Sequence, residues 1–252
     1  IGAGAMGGAI ARGLLASGVS PDGITMSNPT SARLAPFAAL CVNVTSANRA
    51  ACAGAYVVIL AVKPWIVPDV INEIKDTLDY TRQSVAVVAA GVSGENLSGW
   101  FDRDGALPCI SIVMPNTAVS LRRSMTFIVP VAGDDLSAAA GLFGRLGQVR
   151  VIDEKMLPAA TTLASCGIAY ALRYIRAATE GGVELGFRAS EAQAIVAQTV
   201  AGAAALLEDG AHAEAEIDKV TTPGGLTIRG LNEMEAGGFT TAVIRGLKAG
   251  MH

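Results

Sequence analysis

A chain of 252 residues, 51% hydrophobic but only 5% aromatic, carries enough apolar side chain for a substantial core and is long enough for two domains. A net charge of −3 without a basic run argues against a nucleic-acid surface, and the longest uncharged apolar stretch, 157–172, has 16 residues against the ~20 that a bilayer span needs. Four scattered cysteines, Cys41, Cys52, Cys109 and Cys166, read as reduced thiols of a cytoplasmic protein, and two histidines, His212 and His252, lie in no motif that would make a zinc site or a Ser-His-Asp triad.

The chain opens on Ile1-Gly2-Ala3-Gly4-Ala5-Met6-Gly7-Gly8, the G-x-G-x-x-G spacing of a turn that leaves a strand and enters a helix. In that reading Gly2 permits the tight turn, Gly4 lets a pyrophosphate approach the backbone, and Gly7 lets the helix pack on the sheet. The phosphates then meet unpaired N–H groups at the helix's positive end. With 29 glycines in the chain, the spacing alone also suits an ordinary turn. Ile10, Leu14 and Leu15 fall on one helical face and Gly18 supplies the stop. Only Ile1 represents the strand expected before Gly2, so a few natural residues are expected to precede it.

A short strand at 24–27 follows, then a helix through Arg33, Leu34 and Phe37. Where a dinucleotide fold that prefers NAD places an acid, this chain has Ser27 and Asn28 with Arg33 close behind, which suits a 2′-phosphate and hence NADP(H). A weak strand at 41–45 precedes a short helix with Ser46 as its cap, carrying Asn48 and Arg49. The run 56–62 has the continuous apolar character of a strand buried on both faces and ends in Lys63-Pro64. Its carboxyl end, Ala61, Val62, Lys63 and Pro64, should border the cofactor. Lys63 reads as a solvated or phosphate-proximal cation. Helical spacing of Val67, Val70, Ile71, Ile74 and Leu78, a buried strand at 84–90, a helix capped by Ser93, strands at 109–113, 126–131 and 149–152, and a helix at 137–146 complete the alternation. This is the pattern of an α/β doubly wound sheet.

From Asp153 the pattern is helical. Asp153 is placed to cap a long helix reaching about Gly186, and Ser190 with Gln193 has capping-box spacing for a helix at 191–208. Alanine-rich faces let helices approach closely and suit an intertwined dimer or, as the alternative, a compact monomeric bundle. The stretch Val220-Thr221-Thr222-Pro223-Gly224-Gly225-Leu226-Thr227 breaks the chain and restarts a helix, so two glycines free backbone N–H groups for an anion such as a carboxylate.

These stretches together, Gly-Ala-Gly-x-Met-Gly, Ala-Val-Lys-Pro, Met-Pro-Asn-Thr and Val-Thr-Thr-Pro-Gly-Gly-x-Thr, resemble the pyrroline-5-carboxylate reductase family, in order and over most of the chain. The resemblance implies a Rossmann-type NADP(H) domain at 1–152 and an all-helical dimerisation and substrate domain at 153–252. It implies NADPH-dependent reduction of 1-pyrroline-5-carboxylate to L-proline, with NADH as the alternative cofactor, and assembly as a dimer or a ring of dimers. Residue by residue, Gly2, Gly4, Ala5, Met6 and Gly7 match the pyrophosphate loop and Asn28 the 2′-phosphate region. Asn48 matches a ribose contact, and Ala61, Val62, Lys63 and Pro64 match the nicotinamide side. Thr222, Gly224 and Gly225 match the carboxylate loop, and Thr227 matches the catalytic hydroxyl facing the ring nitrogen. Such a site works chiefly by orientation of two bound reactants, with Thr227 as a positioning donor.

The chain also departs from the family. Ile112 stands where the family usually has an arginine, Ala118 replaces a proline, and Ser165-Cys166-Gly167-Ile168-Ala169 replaces Gly-Ser-Gly-Pro-Ala. Two other readings therefore stand beside the first: an NADP-linked reductase of another cyclic imine, and a non-catalytic NADP(H)-sensing dimer.

Overall fold

The computed structural model describes residues 1–133 and 135–251, so His252 lies outside the described residues. By proximity of backbone atoms the chain divides into two compact units, Ile1–Ser165 and Cys166–His252.

The first unit alternates helices and strands. Helix α1 (Ala5–Ala16) is followed by β1 (Thr25–Ser27), α2 (Ser31–Ala38), β2 (Asn43–Thr45), α3 (Asn48–Cys52), β3 (Val57–Leu60), α4 (Val67–Ile74), β4 (Ser84–Val87), α5 (Gly94–Phe101), β5 (Cys109–Met114), β6 (Ser124–Ala132), α6 (Ser137–Gly144), β7 (Gly147–Val151) and the short α7 (Leu157–Ala160). β1 pairs parallel with β2, and β3 to β7 form a five-stranded sheet in chain order. Ile1 and Gly2 join the two: Ile1 N donates to Ile59 O (2.7 Å), Ala61 N to Ile1 O (2.8 Å) and Gly2 N to Ser27 O (2.9 Å).

β4 shows why the sheet is covered on both faces. Val85 and Val87 pack with α4 and α5 (Val67, Ile71, Ile74, Leu97, Phe101), while Ala86 between them packs with α1 and α6 (Ile10, Leu14, Phe143). Alternate side chains of a strand point to opposite faces, and each fully buried Val, Leu, Ile or Phe contributes about 1.5–3 kcal/mol. Ile112 belongs to the α4/α5 side of this core and is 2% exposed.

Several expectations from the sequence need correction. The alternation is not complete, because β5 and β6 are antiparallel. Only residues 115–123, which hold the 3₁₀ turn Thr117–Leu121, separate them, too short for the crossover of about a dozen or more residues that parallel strands require. The cap ahead of α3 is not Ser46: Ala47 holds the capping position, and Thr45 Oγ1 accepts from Ala47 N at 3.1 Å. The long helix expected from Asp153 is present as one unbroken helical run from Glu154 to Glu184, but its winding changes along the way, from a 3₁₀ turn (Glu154–Met156) through α7 and a π-helical turn (Thr161–Cys166) to α8 (Gly167–Glu184), and Asp153 does not cap it. Asp153 pairs with Lys155 (3.3 Å) and makes no side-chain cap. Pro158 suits a helix start because it lacks an N–H, and Thr161 Oγ1 donates to Leu157 O (2.7 Å). Such side-chain bonds compete with the helical ladder. Ser93 does cap α5, accepting from Asn96 N at 3.2 Å.

The second unit holds α8, α9 (Ala189–Ala205), α10 (Ala213–Lys219), α11 (Leu226–Ala236) and α12 (Phe239–Ala249). α9 begins ahead of the expected Ser190 cap, because Glu191 reaches back to accept from Arg188 N (3.3 Å). The small residues do what the sequence suggested: a Cβ on Gly182 would lie 2.9 Å from Ala192 Cβ, so α8 and α9 touch closely there. Tyr174 and Phe239 meet edge to face at 6.3 Å. No helix among the described residues is long and apolar enough to cross a membrane.

Candidate active site

In the first unit the glycine turn forms the floor of a cleft of about 740 Å³. Gly2 has φ +94°, and a Cβ there would strike the Ala61 carbonyl at 2.5 Å. A Cβ on Gly7 would run into the Gly2 carbonyl oxygen, whereas one on Gly4 would meet nothing within 4 Å. The first and third glycines are therefore needed for the chain to close on itself, and the second leaves open space. Gly4 stands at the capping position of α1 and offers no side-chain cap, and the first turn holds no acid, so the free N–H groups of α1 keep their positive end. Floor, space and polarity fit a pyrophosphate.

Ten of the twelve residues expected at the cofactor line this cleft: Gly2, Gly4, Ala5, Met6, Ser27, Asn28, Asn48, Ala61, Val62 and Lys63. Gly7 and Pro64 do not. Gly7 sits behind the turn, and Pro64 starts the 3₁₀ turn Pro64–Ile66 that carries the chain into α4. Asn28 Oδ1 accepts from Thr30 N (2.9 Å), which shapes the turn into α2 and brings Arg33 to the cleft wall. Among the described residues the Arg33 guanidinium pairs with no acid. Lys63 is exposed and lies 5.9 Å over the Trp65 ring.

Sequence reasoning missed the α4 wall. Ile66 and Val70 give it an apolar surface, and Asp69 and Glu73 bring carboxylates. Asn48 stands between Ser27 Oγ, which donates to its Oδ1 (2.9 Å), and Glu73 Oε2, which accepts from its Nδ2 (2.7 Å). Ser27 is fully buried, so its hydroxyl orients Asn48. The i, i+4 spacing of Asp69 and Glu73, two acids on one face beside the apolar stripe, was the signal available in the sequence.

Asn116 shapes its own turn: its Oδ1 accepts from Ala118 N (3.0 Å) and its Nδ2 donates to Ala164 O (3.3 Å). Cys52 is buried beneath the sheet, which pushes its thiol up to about 11. Among the described residues no cluster of His, Cys, Asp or Glu could hold a metal ion.

In the second unit, Thr222, Gly224, Gly225 and Thr227 come together at the start of α11. Gly225 N donates to Thr222 O (2.9 Å), Gly224 takes φ +69°, and Arg229 Nη2 donates to Gly224 O (2.8 Å). α11 has no side-chain cap and no acid in its first turn. Thr227 is exposed and its hydroxyl has no partner among the described residues. The loop thus offers free N–H groups, a hydroxyl and a nearby guanidinium, donors suited to a carboxylate.

Both units of the chain are similar to known proteins. Residues 154–252 match the family described as pyrroline-5-carboxylate reductase dimerisation, and residues 1–91 match the family described as NADP oxidoreductase coenzyme F420-dependent. Pyrroline-5-carboxylate reductase 1 of Dictyostelium discoideum is 37% identical over 98% of this chain, which spans 47% of that protein. The pyrroline-5-carboxylate reductase of Arabidopsis thaliana is 35% identical, with 99% of this chain and 91% of that protein covered. The solved pyrroline-5-carboxylate reductase of Coxiella burnetii superposes with a TM-score of 0.90 at 30% identity, over 99% of this chain and 94% of that one. With both units matched in order and near-complete coverage of one such relative, the chain belongs to the pyrroline-5-carboxylate reductase family.

Proposed function

We propose that this chain catalyses the NADPH-dependent reduction of 1-pyrroline-5-carboxylate to L-proline, the last step of proline biosynthesis, in the cytoplasm, with NADH as the alternative cofactor. The observation that carries the reading is the presence in one chain of two anion-ready helix starts: the glycine turn under the cleft, and the Thr-Thr-Pro-Gly-Gly loop ahead of α11.

Each residue then has a task. Gly2, Gly4, Ala5, Met6 and Gly7 shape the pyrophosphate floor, and Asn28 with Arg33 holds the 2′-phosphate. Ser27 orients Asn48 at the ribose, and Ala61, Val62, Lys63 and Pro64 border the nicotinamide. Thr222, Gly224 and Gly225 hold the substrate carboxylate, and Thr227 donates to the ring nitrogen. Bound NADPH supplies the hydride for the C=N carbon. The protein's contribution is orientation: the carboxylate anchor sets the angle of attack, and the Thr227 hydroxyl favours the nitrogen as it becomes an amine. In this scheme residues 1–152 are the cofactor domain, 153–252 the dimerisation and substrate domain, and the assembly is a dimer or a ring of dimers.

The test is NADPH consumption, followed by absorbance with and without 1-pyrroline-5-carboxylate, with Thr227→Ala alongside. Substrate-dependent oxidation that falls at least about tenfold in the variant, with NADPH binding retained, supports the assignment. A folded protein that binds NADPH yet leaves it unoxidised contradicts it. Oxidation only with other ring imines would select the second reading, for which the Ser165-Cys166-Gly167 departure is the specific motive. Ile112, sealed in the sheet core, lends that reading no support.

A further inference from the structure

The Asn48 amide is held at both ends, and its two holders differ in kind. Ser27 Oγ–H donates to Asn48 Oδ1 at 2.9 Å, and Asn48 Nδ2 donates to Glu73 Oε2 at 2.7 Å. A serine hydroxyl both donates and accepts, so Ser27 alone would satisfy the amide in either orientation. A carboxylate only accepts. Glu73 is therefore the group that obliges the NH₂ end to face α4 and the carbonyl end to face Ser27. All three residues line the same cleft, and Glu73 is on the wall that the sequence did not single out.

The neighbouring contact shows that this is separable from simple bracing. Arg49 Nε donates to the main-chain oxygen of Glu73 at 2.7 Å, so the link between α3 and α4 is held without the Glu73 side chain. The carboxylate also stands where electrostatics alone would oppose its presence, since it shares the cleft with the proposed seat of a 2′-phosphate and so repels that anion. A favourable role for it must outweigh that repulsion.

We propose that Glu73 is a positioning residue for the adenosine half of the dinucleotide: it sets the direction of the Asn48 amide, and the remaining Asn48 N–H and lone pair then meet the ribose in one orientation. The inference rests on the dinucleotide reading of the cleft. Because the ribose is common to NADPH and NADH, loss of the Glu73 carboxylate weakens both.

The experiment is a titration of the parent chain and of Glu73→Gln and Glu73→Ala with NADPH and NADH, read by ligand fluorescence, together with kcat and KM for each cofactor and a thermal melt. The Glu73→Gln change keeps hydrogen-bonding capacity but lets the two amides turn together, so the obligate direction is lost. The expected result is weaker binding of both dinucleotides by about three- to tenfold in Glu73→Ala, on the scale of one hydrogen bond. A smaller loss of the same sign is expected in Glu73→Gln, with KM raised, kcat within about twofold of the parent and an unchanged melt. Tighter NADPH binding in Glu73→Gln with NADH unmoved would overturn the proposal and leave the carboxylate as a repulsive charge. Unchanged binding of both cofactors in both variants would overturn it as well. If the parent protein itself binds neither dinucleotide, the failure belongs to the cofactor reading.

Discussion

In residues 1–165 the large apolar side chains of the central strands and their covering helices are sealed by one another: Leu60, Val85, Ile110, Phe101 and Phe143 are among the fully buried ones. In the helical unit almost the reverse holds. Ala192 is its only buried apolar residue among those described, while Leu185 and Leu226 are 83% and 85% exposed and Leu172, Phe187 and Ile195 are about half exposed. A sheet covered by helices on both faces completes a core within one chain. A few helices with alanine-rich contacts do not, and such a surface is completed by association. The match to a dimerisation family falls on this second unit, in keeping with self-association.

That contrast can be broken from either side, and the largest expected effect is in the sheet unit. Gly7→Val places a side chain against the Gly2 carbonyl, which is backbone and cannot yield, so NADPH affinity should fall by more than about a hundredfold, with the melt lowered by overpacking. A titration beside a thermal scan checks both. In the helical unit the double change Leu172→Glu with Ile195→Lys touches exposed positions and should cost a lone chain no more than about 1 kcal/mol in total. Light scattering should nevertheless show a shift toward monomer at micromolar protein, while NADPH affinity moves less than about threefold.

A smaller and more selective effect is expected at the cleft wall. Arg33→Ala should weaken NADPH about tenfold and leave NADH within about twofold, because in the proposed assignment the guanidinium serves the 2′-phosphate, which NADH lacks. Equal losses for both cofactors would move the 2′-phosphate elsewhere. The smallest effect concerns Cys52. Burial pushes its thiol up to about 11 from an ordinary 9.0, so between those values the folded chain keeps a proton that the unfolded chain has released. Stability therefore declines as pH rises from 9 toward 11, and Cys52→Ala should flatten that part of a denaturation-against-pH curve.

Much of the site was readable as backbone chemistry. The spacing of Gly2, Gly4 and Gly7 specifies a turn whose first and third members tolerate no side chain, and ten of the predicted cofactor residues face one cleft because strand ends and helix starts alternate along the sequence. Asp69 and Glu73 left only a faint trace, their i, i+4 spacing beside the apolar stripe of α4, because on a helix surface such a pair also reads as a solvated face. Their role depends on what α3 places opposite them. Ser27, expected at the cofactor, lines the cleft and is in addition a fully buried holder of Asn48, a second task that rests on packing and that no local spacing reports.

By itself, then, the sequence determined the order of strands and helices, the two anion-ready helix starts and the change from alternating to helical pattern after residue 152. Those features rest on local backbone preferences and on periodicity within a few residues. Only the tertiary structure decided that β5 and β6 run antiparallel, that Ile112 is sealed in the core, that the helix after Asp153 changes to π winding at Thr161–Cys166, and that Ser27, Asn48 and Glu73 form one chain of hydrogen bonds. Each of these depends on groups far apart along the chain, and no local spacing reports which distant neighbour a side chain will meet.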